Sequence, residues 1–244
     1  ALSCGSICAG GTLGILIPPS IMLIVYGPMA GLSVGRLFMA AVLPGLLLAV
    51  LYALYIVIIC FLKPDLGPTL PQEQRNVPWT QKIFLVLTSL LPTLLLILSV
   101  LGTIFFGIAA PTEAAAVGAL VSVILAWAYG NLTLKTLWEA FVQTTIVSSM
   151  ILIIVAAAFV FTGTFMLLGG GFIVEDLLFS LPIGPWSILI IMMTAFFIFG
   201  LFMEWVGIVP ILVPIFTPVL QQLGFDPLWA AMLFCVTMQT SFLT

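Results

Sequence analysis

From Leu37 to Leu62 the chain carries no charged side chain. A helix needs about 20 apolar residues to cross a bilayer, so a run of this length predicts a membrane-spanning helix and not a barrel strand. Ile83–Gly102 is a second such run, with Pro92 inside it as a tolerated kink. A third extends from about Thr112 to Tyr129. It opens on Pro111 and a first-turn acid, Glu113, the pattern of a helix start. Leu137–Leu168 reads as an interfacial approach followed by a fourth span, closed by Gly169-Gly170-Gly171. Phe172–Trp186 then lies along the interface, with Glu175 and Asp176 as a solvated pair.

Composition excludes the other classes. Of the 244 residues, 64% are hydrophobic and 5% charged, too few charges to cover a water-soluble globule. Five Lys and Arg against eight Asp and Glu leave no basic footprint for nucleic acid. The absence of histidine removes the commonest general base, which argues against an enzyme. The chain begins at Ala1 without Met or signal peptide and stops at Thr244 directly after an apolar run, so it is expected to be a fragment.

Lys63–Gln81 is a long, proline-rich polar loop. If the first segment leads outward, Lys63, Arg75, Lys82 and Lys135 fall on one side and Arg36 on the other. The positive-inside rule makes the side with four the cytoplasm.

Three segments are not simple spans. Ala1–Tyr26 is long enough to cross, but Gly10, Gly11, Gly14, Pro18 and Pro19 should interrupt it between Gly10 and Pro19. Ser187–Leu220 is apolar apart from Glu204, with Gly207 and Pro210 beside it, and each half is short for a crossing. A re-entrant hairpin with its tip near Glu204–Pro210 is the expected form. Pro227–Thr244 breaks at Gln239-Thr240-Ser241. The two broken segments run in opposite directions by the charge reading, the signature of inverted-repeat secondary transporters.

These breaks are where chemistry can sit, because irregular backbone at membrane depth must be buried in protein or line a wet cavity. Carbonyls freed at Gly10–Pro19, with the Thr12 hydroxyl, suit Na⁺. The half-helix start near Ser20 suits a carboxylate. Gln239, Thr240 and Ser241 offer neutral oxygens at the other break, so Gly11, Thr12, Gln239 and Thr240 are the candidate Na⁺ ligands. The competing readings are a kinked structural helix for the first break and interhelical hydrogen bonds for the second. Glu204 is either a tip beside an ion or substrate site or one that reaches the aqueous vestibule; a proton-coupled role for it also stands. Gly31-Leu32-Ser33-Val34-Gly35 imitates a nucleophile elbow, but without a histidine it carries no chemistry. Gly27, Gly31 and Gly35 fall at a loop, not on one helix face. Cys4, Cys8, Cys60 and Cys235 read as small apolar residues, with no disulfide or metal inferred.

Gly11-Thr12-Leu13-Gly14-Ile15-Leu16-Ile17-Pro18-Pro19-Ser20, followed by Tyr26-Gly27, resembles a signature of the large membrane (M) subunit of tripartite ATP-independent periplasmic (TRAP) transporters. Pro111-Thr112-Glu113-Ala114-Ala115-Ala116 is similar to a second signature. Gln239-Thr240-Ser241-Phe242-Leu243-Thr244 resembles a third. Phe202-Met203-Glu204-Trp205-Val206-Gly207-Ile208 looks like the mannitol/chloroaromatic-type branch.

The resemblance implies an all-α ion-transporter-superfamily fold: an inverted repeat with discontinuous helices and a re-entrant hairpin, working as an elevator. On that plan residues 1–27 are the discontinuous helix of the first repeat, 28–62 a transmembrane helix, 63–82 a cytoplasmic loop and 83–136 two further helices. Residues 137–186 supply an arm helix, a span and an interfacial segment, 187–221 the outer hairpin and 222–244 the second discontinuous helix. It further implies import of organic acids by a multi-pass protein across the bacterial (or archaeal) cytoplasmic, or inner, membrane. Na⁺ is the coupling ion and there is no other cofactor. The partners are a small membrane (Q) subunit and a periplasmic substrate-binding protein (P). A relative of the same superfamily that works without a binding protein is the alternative.

Overall fold

A computed structural model of the chain describes residues 2–67 and 78–242, the side chains of 241 and 242 excepted. Arg75, the Ser241 side chain and Leu243-Thr244 of the third motif lie outside the described residues. Among the described residues ten α-helices follow in order: α1 Leu2–Leu16, α2 Ile21–Ala30, α3 Val34–Leu62, α4 Trp79–Phe105, α5 Pro111–Ala128, α6 Leu134–Leu167, α7 Gly170–Ser180, α8 Pro185–Gly200, α9 Trp205–Gln222 and α10 Pro227–Met238. Short 3₁₀ turns occupy Pro64–Leu66 and Gln239–Phe242. Five of the described helices, α3 to α6 and α9, are long and apolar enough to cross a membrane. The chain is an all-α integral membrane protein.

Contacts divide it into two compact units, Ala1–Ile7 with Leu47–Leu137 and Cys8–Leu46 with Trp138–Thr244. In the first, α4 packs against α5. Gly118 permits the approach, since a Cβ there would lie 2.7 Å from Cγ2 of Val100. Tyr129, just beyond α5, donates its hydroxyl to the carbonyl of Thr88 in the first half of α4 (3.1 Å), while Gly118 earlier in α5 faces Val100 later in α4, so the two helices run antiparallel. At the start of α5, Pro111 occupies the first turn and Oε2 of Glu113 accepts from the Ala110 amide at 3.0 Å. The acid therefore serves the helix N-terminus, where its charge complements the dipole.

The second unit is built on α9, which packs against α2, α8, α10 and α7. Of its apolar stretch 61% is buried, against 6% for α3 and for α4. In a membrane protein that contrast separates a helix enclosed by protein from helices that present their faces to lipid. An aromatic chain runs through the core. Tyr26 of α2 lies 5.3 Å from Phe234 of α10, Phe234 lies 4.4 Å from Phe196 of α8, and Phe196 lies 5.2 Å from Phe216 of α9. The turn after α2 requires Gly31, whose φ of 67° is left-handed.

Three expectations need correction. Gly10, Gly11, Thr12 and Gly14 do not interrupt the first segment, because α1 continues to Leu16 and the break is confined to residues 17–20. Gly207 and Pro210 lie inside α9, so the hairpin turn is Leu201–Glu204. The expected arm helix and span at 137–168 are one helix, α6, unbroken over 34 residues.

Candidate functional site

The first break follows from two missing amide protons. Pro18 and Pro19 lack N–H groups, so the carbonyls of Gly14 and Ile15 have no donor four residues on. Ser20 bridges the gap. Its hydroxyl donates to the Ile15 carbonyl, and its oxygen accepts from the amide of Leu23 at 3.4 Å, capping α2. Buried Ser20 thus uses its side chain to hold the break together. The two half-helices meet at a bend of 44°. Thr12 is also buried, and its hydroxyl donates to the Ala9 carbonyl at 2.9 Å, leaving oxygen lone pairs for another partner. Gly10, Gly11 and Gly14 are exposed, with open space where a Cβ would stand. Pro18 is buried and Pro19 exposed.

The hairpin is α8 and α9. The sixteen residues of α8 reach about 24 Å, short of a hydrocarbon core of about 30 Å. At its base Trp186 stands edge-on to Phe225 and Trp229, at 5.1 and 5.9 Å. Tryptophans grouped this way mark a membrane–water interface. At the tip Glu204 is exposed and forms the N-cap of α9 through its backbone, with no side-chain cap bond. Gly207 sits one turn in, partly covered.

Pro210, Pro214 and Pro218 recur every four residues along α9 and therefore share a face. Each removes a donor, from the carbonyls of Val206, Pro210 and Pro214 respectively. The buried Thr162 of α6 donates its hydroxyl to the Pro210 carbonyl at 3.0 Å. Sequence reasoning missed Thr162. The proline spacing was a visible sign that α9 needs outside donors, but nothing in α6 distinguishes Thr162 from Thr164.

At the second break α10 tightens into the 3₁₀ turn Gln239–Phe242. Gln239 is only 2% exposed. Its Nε2 donates to the Cys235 carbonyl at 3.3 Å, and its Oε1 has no hydrogen-bond partner among the described residues. A buried amide oxygen left this way loses its hydration without replacement, which costs about 1–3 kcal/mol unless a donor or cation arrives. The Thr240 hydroxyl donates to the Thr237 carbonyl at 2.6 Å.

Packing joins the hairpin to both broken segments, which also meet each other through Tyr26 and Phe234. Its second arm, α9, lies on α2, which leads away from the first break. Its first arm, α8, lies on α10 and on the turn at Gln239. The segments carrying Ser20 and Gln239 are thus each joined to the hairpin, whereas Gly10, Gly11 and Gly14 face outward. A separate cavity of about 500 Å³ opens among α6, α7, α8 and α9, lined by residues such as Phe161, Leu178, Ile191 and Leu212. Its lining offers no polar surface, so it is unsuited to a carboxylate or a metal cation.

Residues 2–244 match the family model described as tripartite ATP-independent periplasmic transporter, DctM component. The chain is 34% identical over 245 residues to the C4-dicarboxylate TRAP transporter large permease protein of Pseudomonas aeruginosa, covering 100% of this chain and 56% of that protein. It is 30% identical over 241 residues to the 2,3-diketo-L-gulonate TRAP transporter large permease protein of Escherichia coli, with 98% and 55% covered. With the ectoine TRAP transporter large permease protein of Halomonas elongata it shares 30% over 233 residues, with 94% and 52% covered. The chain spans about half the length of the curated relatives it matches.

Proposed function

Because the chain belongs to the DctM family of TRAP transporters, we propose that it forms part of the membrane permease of a Na⁺-driven importer of small organic acids, fed by a periplasmic binding protein and accompanied by a small membrane subunit. Its relatives are named as permease proteins and not as enzymes, and its own apolar helices together with its family make it a multi-pass protein of the bacterial inner membrane.

One observation carries the ion coupling. A hairpin packs against both interrupted helices, and at the second interruption a buried amide oxygen, Oε1 of Gln239, has no partner among the described residues. Hard oxygens of this kind are the ligand type that an alkali cation takes. Thr12 keeps acceptor capacity after donating within its own helix. On this reading Na⁺ is cargo, bound at the breaks and carried with the solute as the hairpin and its flanking half-helices move together in an elevator step.

The solute's grip must be indirect. The two arginines, Arg36 and Arg75, both lie outside the breaks and the hairpin. A carboxylate would therefore be held by half-helix N-termini, hydroxyls and the bound cation. The relatives named for a C4-dicarboxylate, a diketo acid and ectoine have in common a small polar solute with at least one carboxylate, which fits that weakly committed grip.

A second reading, proton coupling, is favoured by the exposed carboxylate of Glu204 at the hairpin tip. Uptake by the complete complex in proteoliposomes, screened over a panel of carboxylic acids, separates the two. The Na⁺ reading expects accumulation that follows an inward Na⁺ gradient, needs the binding protein and survives collapse of the pH gradient. Accumulation that ignores Na⁺ and stops with Glu204→Gln would establish the other.

A further inference from the structure

Most helical threonines in this chain turn their hydroxyls back on themselves. Thr144, Thr145, Thr164 and Thr194 each donate to the carbonyl four residues earlier in the same helix. Thr162 sends its hydroxyl out of α6 and across to α9, where it meets the Pro210 carbonyl at 3.0 Å in a buried setting. That carbonyl is free for a covalent reason, since Pro214 has no N–H to return. Pro210 lies five residues from the start of α9, about 8 Å along the helix from the tip. With three ladder bonds missing from one face, this arm has little resistance to bending of its own.

We propose that Thr162 is a positioning residue for transport: by supplying the donor that Pro214 withholds, it latches the second arm of the hairpin to α6 and fixes the tip that carries Glu204. The proposal rests on the reading of the hairpin as part of the transport site. It adds an assignment for a residue outside both breaks that touches neither ion nor solute.

The chemistry dictates a discriminating set of substitutions. Thr162→Val keeps the shape and deletes the donor, while Thr162→Ser keeps the donor and deletes a methyl group. Pro214→Ala restores the missing N–H, so the Pro210 carbonyl finds its partner within α9 and the latch becomes redundant. Each variant is made in the complete natural protein. Tip opening is read as the labelling rate of Val206→Cys, a position only 2% exposed at the start of α9, in a background whose other cysteines are replaced, with a membrane-impermeant maleimide. Hydrogen–deuterium exchange of residues 199–207 in the otherwise unmodified protein gives the same readout if the cysteine-replaced background does not assemble.

Thr162→Val should speed labelling and exchange by about threefold to twentyfold, the range that interhelical hydrogen bonds in membranes command. It should raise the half-saturating solute concentration by a similar factor with the maximal rate little changed. Thr162→Ser should match the natural protein, and Thr162→Val should have no further effect once Pro214→Ala is present. A Val variant indistinguishable from Thr, a Ser variant as loose as Val, or an undiminished Val effect beside Pro214→Ala each overturns the latch. Labelling and exchange need no transported solute. A flat pattern beside intact Na⁺-driven uptake therefore defeats the latch alone, and the full pattern without any uptake defeats only the transport reading.

Discussion

Gln239 turns its amide nitrogen toward the carbonyl of Cys235, 3.3 Å away, and leaves its amide oxygen buried without a partner among the described residues. That one-sided satisfaction yields a prediction that separates stability from ion binding. Gln239→Leu removes the unsatisfied oxygen but also the donor to the Cys235 carbonyl, which the Gln239 backbone amide does not serve, so the two effects oppose each other. It should therefore shift the unfolding temperature little in Na⁺-free buffer, and raise the Na⁺ concentration for half-maximal stabilisation by about tenfold, the loss of one ligand worth about 1.4 kcal/mol. Thermal unfolding of the purified complex against a Na⁺ series measures both. Unchanged Na⁺ dependence would remove Gln239 from the ion site.

Ser20 makes the opposite case, a polar residue whose side chain is already committed. It caps α2 and also donates to the Ile15 carbonyl across the break. Ser20→Ala should cost about 2 kcal/mol, a cap of about 1 plus a carbonyl left bare. The unfolding midpoint in denaturant reads this directly. The same variant should leave the half-saturating solute concentration within about twofold, below 0.5 kcal/mol. A large rise in that concentration with stability intact would make Ser20 a solute ligand instead.

The spans were legible because lipid makes backbone satisfaction compulsory: the runs at Leu37–Leu62 and Ile83–Gly102 appear as α3 and α4, extended by a few residues. The same rule explains the misplaced break. A glycine keeps its N–H and stays helical where the alternative is an unpaired amide in lipid, so Gly10, Gly11 and Gly14 bend nothing. Pro18-Pro19 differs, because each proline lacks the donor and Pro19 also pushes Pro18 away from helical geometry. The prolines of α9 are not consecutive, so no residue there is both a proline and followed by one, and the helix stays continuous. The partner that serves one of the freed carbonyls, Thr162, lies 48 positions away. No local pattern encodes such a pairing, and none encodes which arm of the hairpin lies on which broken helix.

Glu204 offers a clean division between coupling ions. Its carboxylate is exposed at the tip, and the cap that it forms is a backbone one. Glu204→Gln should therefore preserve Na⁺-driven uptake to within about threefold, less than 0.7 kcal/mol, with an unaltered pH profile. Initial rates across a pH series in proteoliposomes provide the test. Loss of uptake together with loss of its pH dependence would make Glu204 the proton carrier.

Phe234 joins α10 to both neighbours, with Tyr26 on one side and Phe196 on the other, and it is 1% exposed. In water, truncating such a residue costs about 3–5 kcal/mol, of which part is transfer of the ring from solvent. A helix dissociating within a bilayer moves that ring into hydrocarbon, so the transfer part largely vanishes and the cavity remains. At about 24 cal/mol per Å³ for a void of about 100 Å³, Phe234→Ala should cost about 2.4 kcal/mol. Phe234→Leu, which nearly fills the space, should stay under about 1.5 kcal/mol. Both are read as shifts in unfolding midpoint. A cost for the alanine variant below that of leucine would mean that the surrounding helices close over the gap and that the aromatic chain does not hold α10 in place. A cost well above 3 kcal/mol would mean that water, not lipid, reaches this core when it opens, which would place the α2–α8–α10 junction beside an aqueous path and not within the hydrocarbon.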